Sequence, residues 1–172
     1  ANEGNLVVSS VTRFGFVESG WGLVYWRTTN STIAGNIIGL DKNGAIAGLG
    51  NALDGIFLTV SSTGNIVGTD GDGGASDALE GNLVADNGNF GILVIANSHN
   101  NVVAGNKVGL DAGDNAAGNS RFGIGILNCS GNRIGTDGDG ISDNLEANIV
   151  ASNRMGGIGL YSTAFAPYND GK

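Results

Sequence analysis

Short runs of alternating apolar residues, each bounded by Gly or Asn, recur along the whole chain. A Gly opens such a run at Gly22-Leu23-Val24-Tyr25, Gly55-Ile56-Phe57-Leu58, Gly91-Ile92-Leu93-Val94, Gly123-Ile124-Gly125-Ile126 and Gly157-Ile158-Gly159-Leu160, at intervals of 32 to 36 residues. Two further runs lie between successive copies. One spans 65–67, 101–103 and 132–134, with 31–33 as a variant. The other spans 5–7, 36–38, 82–84, 106–108 and 148–150. A period of two over so few residues predicts short strands, and three strands per interval predict one coil of a β-solenoid.

Alternation fixes which side chains point inward. Ile33, Val67, Val103 and Ile134 form one column, and Val7, Ile38, Val84, Val108 and Val150 a second. The third pairs Ile56 with Leu58, Ile92 with Val94, Ile124 with Ile126 and Ile158 with Leu160, and starts at Leu23 and Tyr25. Stacked coils place like on like at about 4.8 Å. Asn5, Asn36, Asn82, Asn106 and Asn148 fall at one corner, where an Asn can turn the backbone and bond the Asn above and below it.

Longer stretches repeat as well. GNIIGLD at 35–41 returns as GNKVGLD at 105–111, VGTDGDG at 67–73 as IGTDGDG at 134–140, and EGNLVADN at 80–87 as EANIVASN at 146–153. A third partial copy, EGNLVVSS, occupies 3–10. Each unit must bury its apolar face on its neighbour, so a repeat decides architecture before any single residue does. The coils alternate in where they carry a long loop. In one type it lies between strands one and two, at 68–81 and 135–147. In the other that corner is tight, at Ala34-Gly35 and Ala104-Gly105, and the long loop precedes strand three, at 39–54 and 109–122. The acidic loops are therefore expected on coils two apart, with a tight coil leaving each of them room.

These units resemble those of right-handed parallel β-helix proteins of the pectate-lyase-like class. The run from Asn97 to Val108 is similar to the S-x-x-N-x-I-x-x-N-x-I coils of the family that includes a periplasmic copper-enzyme maturation factor. The IGTDGDG and LEGN segments resemble arrays of large bacterial secreted and surface proteins. The resemblance implies an all-β, right-handed parallel β-helix of about five three-strand coils with long loops on alternate coils. It spans nearly the whole chain as a single domain over 1–172. This fold hosts lyases, hydrolases, binding modules and inert stalks, so it does not by itself imply an activity.

Composition narrows the setting. Gly is abundant at 32 and Pro rare at 1, yet Val, Ile and Leu are plentiful, so Gly punctuates strands rather than forming a disordered linker. The net charge of −8 argues against nucleic acid and anionic membrane as partners and fits a secreted protein or one that binds divalent cations. Cys129 is the single cysteine, which excludes an intrachain disulfide. No apolar run approaches the roughly 20 residues of a membrane span. The frame breaks mid-coil at Glu3-Gly4-Asn5 and again after strand three, so a segment of a longer array or a self-stacking unit is expected.

The acidic loops carry the strongest chemical signal. One holds Asp70, Asp72, Asp77 and Glu80, the other Asp137, Asp139, Asp143 and Glu146. Carboxylates separated by Gly offer a hard cation several oxygens on a backbone able to curl around it. The run Asp137–Asp143 is similar to dockerin-like and thrombospondin-repeat calcium loops, but Gly135 stands where their leading Asp would be, and the first copy has one extra residue. Two readings stay open: a calcium site, or a solvated turn that uses Asp and Gly for positive φ. Asp41 and Asp111 follow strand two and are expected to stabilise turns.

Outward positions are unusually apolar. Val24, Trp26, Phe57, Leu93, Ile95, Leu127 and Tyr161 line strand three, with Leu6, Ile37, Leu83 and Ile149 on strand two and Ile66 and Val102 on strand one. Such a surface is either covered by loops, through Phe14, Phe16, Ile46, Leu49 and Leu53, or used for contact with other molecules. Trp21, Phe90 and Phe122 precede strand-three glycines and offer either a sugar platform or packing beneath loops.

The expected role is that of an extracellular or cell-surface structural and adhesive solenoid, a stalk or filament-forming subunit stiffened by calcium. Expected partners are other copies of the chain, head-to-tail or lateral, or the rest of a larger surface protein, with glycans as a further candidate. The alternative is a polysaccharide lyase or glycoside hydrolase of the pectate-lyase-like class. That chemistry needs paired carboxylates, or a calcium beside a basic residue. Basic residues are scarce; Arg133 and Lys107 are the nearest, and no catalytic residue is assigned. His99 and Cys129 sit alone in turns, without the partners a metal site or a nucleophile requires.

Overall fold

A computed structural model describes residues 5–8 and 20–162. Its strands pair in parallel into three sheets. The strand-one sheet holds Thr32–Ile33, Ile66–Gly68, Val102–Ala104 and Arg133–Ile134. The strand-two sheet holds Leu6–Val7, Ile37–Ile38, Leu83–Val84, Lys107–Val108 and Ile149–Val150. The strand-three sheet holds Leu23–Trp26, Ile56–Thr59, Ile92–Val94, Phe122–Leu127 and Gly156–Tyr161. The chain visits the three sheets in turn, which makes a parallel β-solenoid. It has about four turns rather than the expected five, because the first described coil supplies only strands two and three.

Register is like on like along the inward columns. Val7 faces Ile38, Ile38 faces Val84, Val84 faces Val108 and Val108 faces Val150. Ile33, Val67, Val103 and Ile134 pair likewise, as do Ile56, Ile92, Ile124 and Ile158. These columns form one core, fully buried through the middle coils. Burying each such side chain is worth about 1.5–3 kcal/mol. In the last coil Ile158 and Leu160, on the same inward column, are 49% and 71% exposed.

A second, smaller core covers the middle of the apolar outer surface of strand two, while Leu6 and Ile149 at its two ends stay exposed. The loops over 39–54 and 109–122 fold back on it, burying Leu40, Ala85 and Ala117 against Ile37 and Leu83. The Asp41 carboxylate accepts the Asn43 and Ala45 amides, and Asp111 accepts those of Gly113 and Asn115. Both are turn residues. Hydrogen bonds to Ala45 and Asn43 hold Asp41 below the ordinary carboxylate range, and bonds from Asn115 do the same for Asp111. Gly39 and Gly109 are required here: each has φ near +90°, and a Cβ would strike the Ala85 or Ala151 carbonyl. Ile46 stays exposed, and Phe14 and Phe16 lie outside the described residues.

The two acidic loops each contain a single helical turn, α1 over Asp77–Glu80 and α2 over Asp143–Glu146. Four residues carry too little periodicity for sequence alone to mark them. No helix among the described residues is long and apolar enough to cross a membrane.

Candidate metal centre

The first acidic loop leaves the strand-one sheet at Gly68 and curls through Thr69-Asp70-Gly71-Asp72-Gly73-Gly74 before α1. Asx-type bonds shape the curl: Asp70 accepts the Asp72 amide, and Asp72 accepts the Gly74 amide at 2.7 Å. Thr69 Oγ1 donates to Glu80 Oε2 at 3.0 Å, and the Asp70 amide donates to the same oxygen. Asp77 Oδ2 accepts the Gly73 amide at 3.1 Å. The turn thereby draws carboxylate oxygens of Asp70, Asp77 and Glu80 within 4.8 Å of one another. Asp77 is only 2% exposed, and its Oδ1 has no hydrogen-bond partner. Burial raises the Asp70 pKa, and the charges of Glu80, Asp72 and Asp77 raise it further. Asp72 contributes to the turn and lies outside the three-carboxylate cluster.

The second loop has the same letters and a different wiring. Asp137, Asp139 and Asp143 approach within 4.8 Å. Here Thr136 Oγ1 donates to Asp143 Oδ1 at 2.8 Å, while Gly140 N donates to Oδ2, so both oxygens of Asp143 are engaged. Glu146 stands apart from the cluster. It is 1% exposed, accepts the Asp137 amide at 3.0 Å, and pairs with Arg133 Nη1 at 2.8 Å. Arg133 also reaches Asp137 at 3.4 Å. Burial alone would raise Glu146, but the Arg133 hydrogen bond, the Asp137 amide and the guanidinium charge together outweigh it and hold the carboxyl below its ordinary value.

The loops are not kept apart as expected. α2 leans across the tight corner, and the Glu146 backbone carbonyl accepts the Gly105 N–H at 2.7 Å. The Glu146 carboxylate then lies against Gly71, where a Cβ would collide with it, and Ile141 lies against Gly73. Coils two apart carry loops that touch, because the tight corner at Gly105 offers no side chain to separate them.

Three Asn ladders brace the corners of the coils, the first of them at the corner from which the acidic loops project. In the first, Asn5, Asn36, Asn82 and Asn106 each donate Nδ2 to the Oδ1 of the next member, ending on Asn148. A second joins Asn65, Asn101 and Asn132. A third joins Asn51, Asn87, Asn119 and Asn153 at 2.8–2.9 Å. Only the first is expected from the sequence: Asn65, Asn101 and Asn132 read there as strand starts alone, and the third column is not marked, although an Asn stands four residues before each of Gly55, Gly91, Gly123 and Gly157. Cys129 replaces the serine of Ser62 and Ser98 in the Ser-x-x-Asn corner and donates to the Leu127 carbonyl. His99 bonds the Ser130 amide, and Lys107 pairs with Asp114.

The outward strand-three positions split. Trp26 is 62% exposed and Val24 42%, and Tyr161 is also open, whereas Leu93 is buried and Phe57, Ile95 and Leu127 are half-buried. Trp21, Phe90 and Phe122 do not form one stack. Trp21 stacks on Phe57 at 5.2 Å, and Phe90 stacks on Phe122 at 6.2 Å. Phe90 is buried over Gly125, a position where any Cβ would meet its ring. The break in this column is Asp54, which accepts Trp21 Nε1, Asn89 Nδ2 and the Phe90 amide. Burial pushes its pKa up to about 6 against those three donors.

No family model, curated protein or solved structure matches the chain.

Proposed function

We propose that this chain is a structural solenoid, a stalk or filament-forming unit working outside the cell or on its surface, with acidic loops stiffened by calcium. The observation that carries this reading is the unbroken stack: inward columns and three Asn ladders run in register from coil to coil. A stack whose buried Asn side chains are spent on joining coil to coil is suited to bearing load. Arg133, the basic residue best placed to serve chemistry, is committed to Glu146 and Asp137. Exposed Ile158 and Leu160 support end-on contact with another copy or with the rest of a larger protein, and exposed Val24 and Trp26 support lateral contact, with a glycan as the other ligand suited to the Trp26 ring. The net charge of −8 fits a secreted protein or one that binds divalent cations.

Light scattering coupled to size exclusion, with electron microscopy of the same fractions, tests the role. Rods or species that grow in mass with concentration are expected. A strict monomer that cleaves acidic polysaccharides to unsaturated products would replace this reading with the lyase alternative.

A further inference from the structure

The two acidic loops share a motif, yet only the first leaves a buried carboxylate oxygen without a partner. Asp77 Oδ1 is sealed from solvent, the Asp77 carboxylate clusters with those of Asp70 and Glu80, and none of the three forms an ion pair among the described residues. A buried anionic oxygen with no donor is costly unless a cation completes it. In the second loop the corresponding oxygen, Asp143 Oδ1, takes the Thr136 hydroxyl. The negative charge there is met by Arg133, which stands on the same strand-one column as Ile66 of the first loop, both facing Val102 in register.

Building on the calcium reading above, we infer that the chain binds one hard divalent cation, held in the first loop by Asp70, Asp77 and Glu80, and that the Arg133 guanidinium is the built-in cation of the second loop. Three clustered carboxylates supply the charge and oxygen donors that calcium favours, and its remaining positions are open to water and backbone carbonyls. In the second loop a divalent ion would meet the fixed positive charge of Arg133 at 3.4 Å from Asp137 and 2.8 Å from Glu146. Electrostatic repulsion at that range disfavours a second ion. Ile66 carries no charge, so nothing on its strand competes for the first loop's carboxylates.

Calorimetric titration of the full chain with calcium chloride, after removal of bound metal by chelator, tests this. One ion per chain is expected. Asp77→Asn should weaken binding about tenfold or more, since ligand charge sets affinity, while Asp143→Asn should leave both affinity and stoichiometry unchanged. Arg133→Ile, which copies the first loop's residue, should raise the stoichiometry from one to two. That gain of a site cannot arise from misfolding. Two ions in the unaltered chain, loss of the ion in Asp143→Asn, or a single ion in Arg133→Ile would each overturn the assignment while leaving calcium binding intact. No bound ion at all would overturn the calcium reading and the assignment together.

Discussion

The loops at 68–81 and 135–147 repeat nearly letter for letter, but their charges are settled by different means. In the second, a buried Glu146 is neutralised from within by Arg133 on the adjoining strand. In the first, Glu80 takes a hydroxyl from Thr69, and Asp77 keeps an unpartnered oxygen. The two loops differ in charge at one adjoining strand position, Ile66 against Arg133, and in length by the one extra residue of the first. In the second loop Asp137 accepts the Asp139 amide and Asp139 the Ile141 amide, as Asp70 and Asp72 do in the first, so the motif fixes these Asx turns more firmly than it fixes electrostatics.

The largest expected effect comes from breaking the internal solution. Arg133→Ala strands Glu146 as a buried, unpaired carboxylate and should cost about 3 kcal/mol in a urea titration. The matched change in the first loop, Ile66→Ala, removes a half-buried apolar side chain and no charge partner, and should cost less. A cost for Arg133→Ala no greater than for Ile66→Ala would erase the distinction. Next come the paired glycines. Gly71 and Gly138 both hold positive φ, near 70° and 75°. Gly138→Ala meets open space and should cost about 1 kcal/mol for the left-handed backbone alone. Gly71→Ala must also displace the Glu146 carboxylate and should cost a further 1–2 kcal/mol. Equal losses would show that the loops do not touch in solution.

Calcium at ten times its Kd should stabilise the chain by about 1.4 kcal/mol. In a chain of this size that raises Tm by about 3–5 °C, a gain that EDTA reverses and Asp77→Asn abolishes. The smallest effect is the response to pH. Glu146 titrates below its ordinary value of 4.5, so its contribution is present above that pH and fades as acid protonates the folded state. Asp70 is raised above 3.8, so its destabilising charge is relieved by the same acidification. Melting curves below pH 5 should therefore fall less steeply in Glu146→Gln than in the unaltered chain, and more steeply in Asp70→Asn.

Much of the fold was legible because period-two alternation and like-on-like columns are local signals repeated at a fixed interval. Val7 to Val150 and Ile33 to Ile134 occupy the register their spacing implies. The alternating long loops followed from the same arithmetic. The candidate site was legible as a set of acidic residues but not as a geometry. Whether a threonine hydroxyl turns toward Glu80 or toward Asp143 depends on what else reaches each carboxylate, and no local pattern records that. Contact between the loops depends on the absence of a side chain at Gly105 and Gly71. The third Asn ladder was legible in principle, through its constant spacing to the strand-three glycines, and was obscured because its members begin no strand.

The ladders also decide where this chain can change length. Each Asn accepts from one coil and donates to the next, so inserting or deleting one residue within a strand or a tight corner would shift every later side chain out of register. The segments between ladders carry no such constraint: from Thr69 to Glu80 the first acidic loop is one residue longer than its counterpart from Thr136 to Glu146, yet both return the chain to the same ladder, at Asn82 and Asn148. Insertions and deletions are thus confined to the loops or to whole coils. A lineage of such chains can lengthen its rod, or vary its loops, without renegotiating the core.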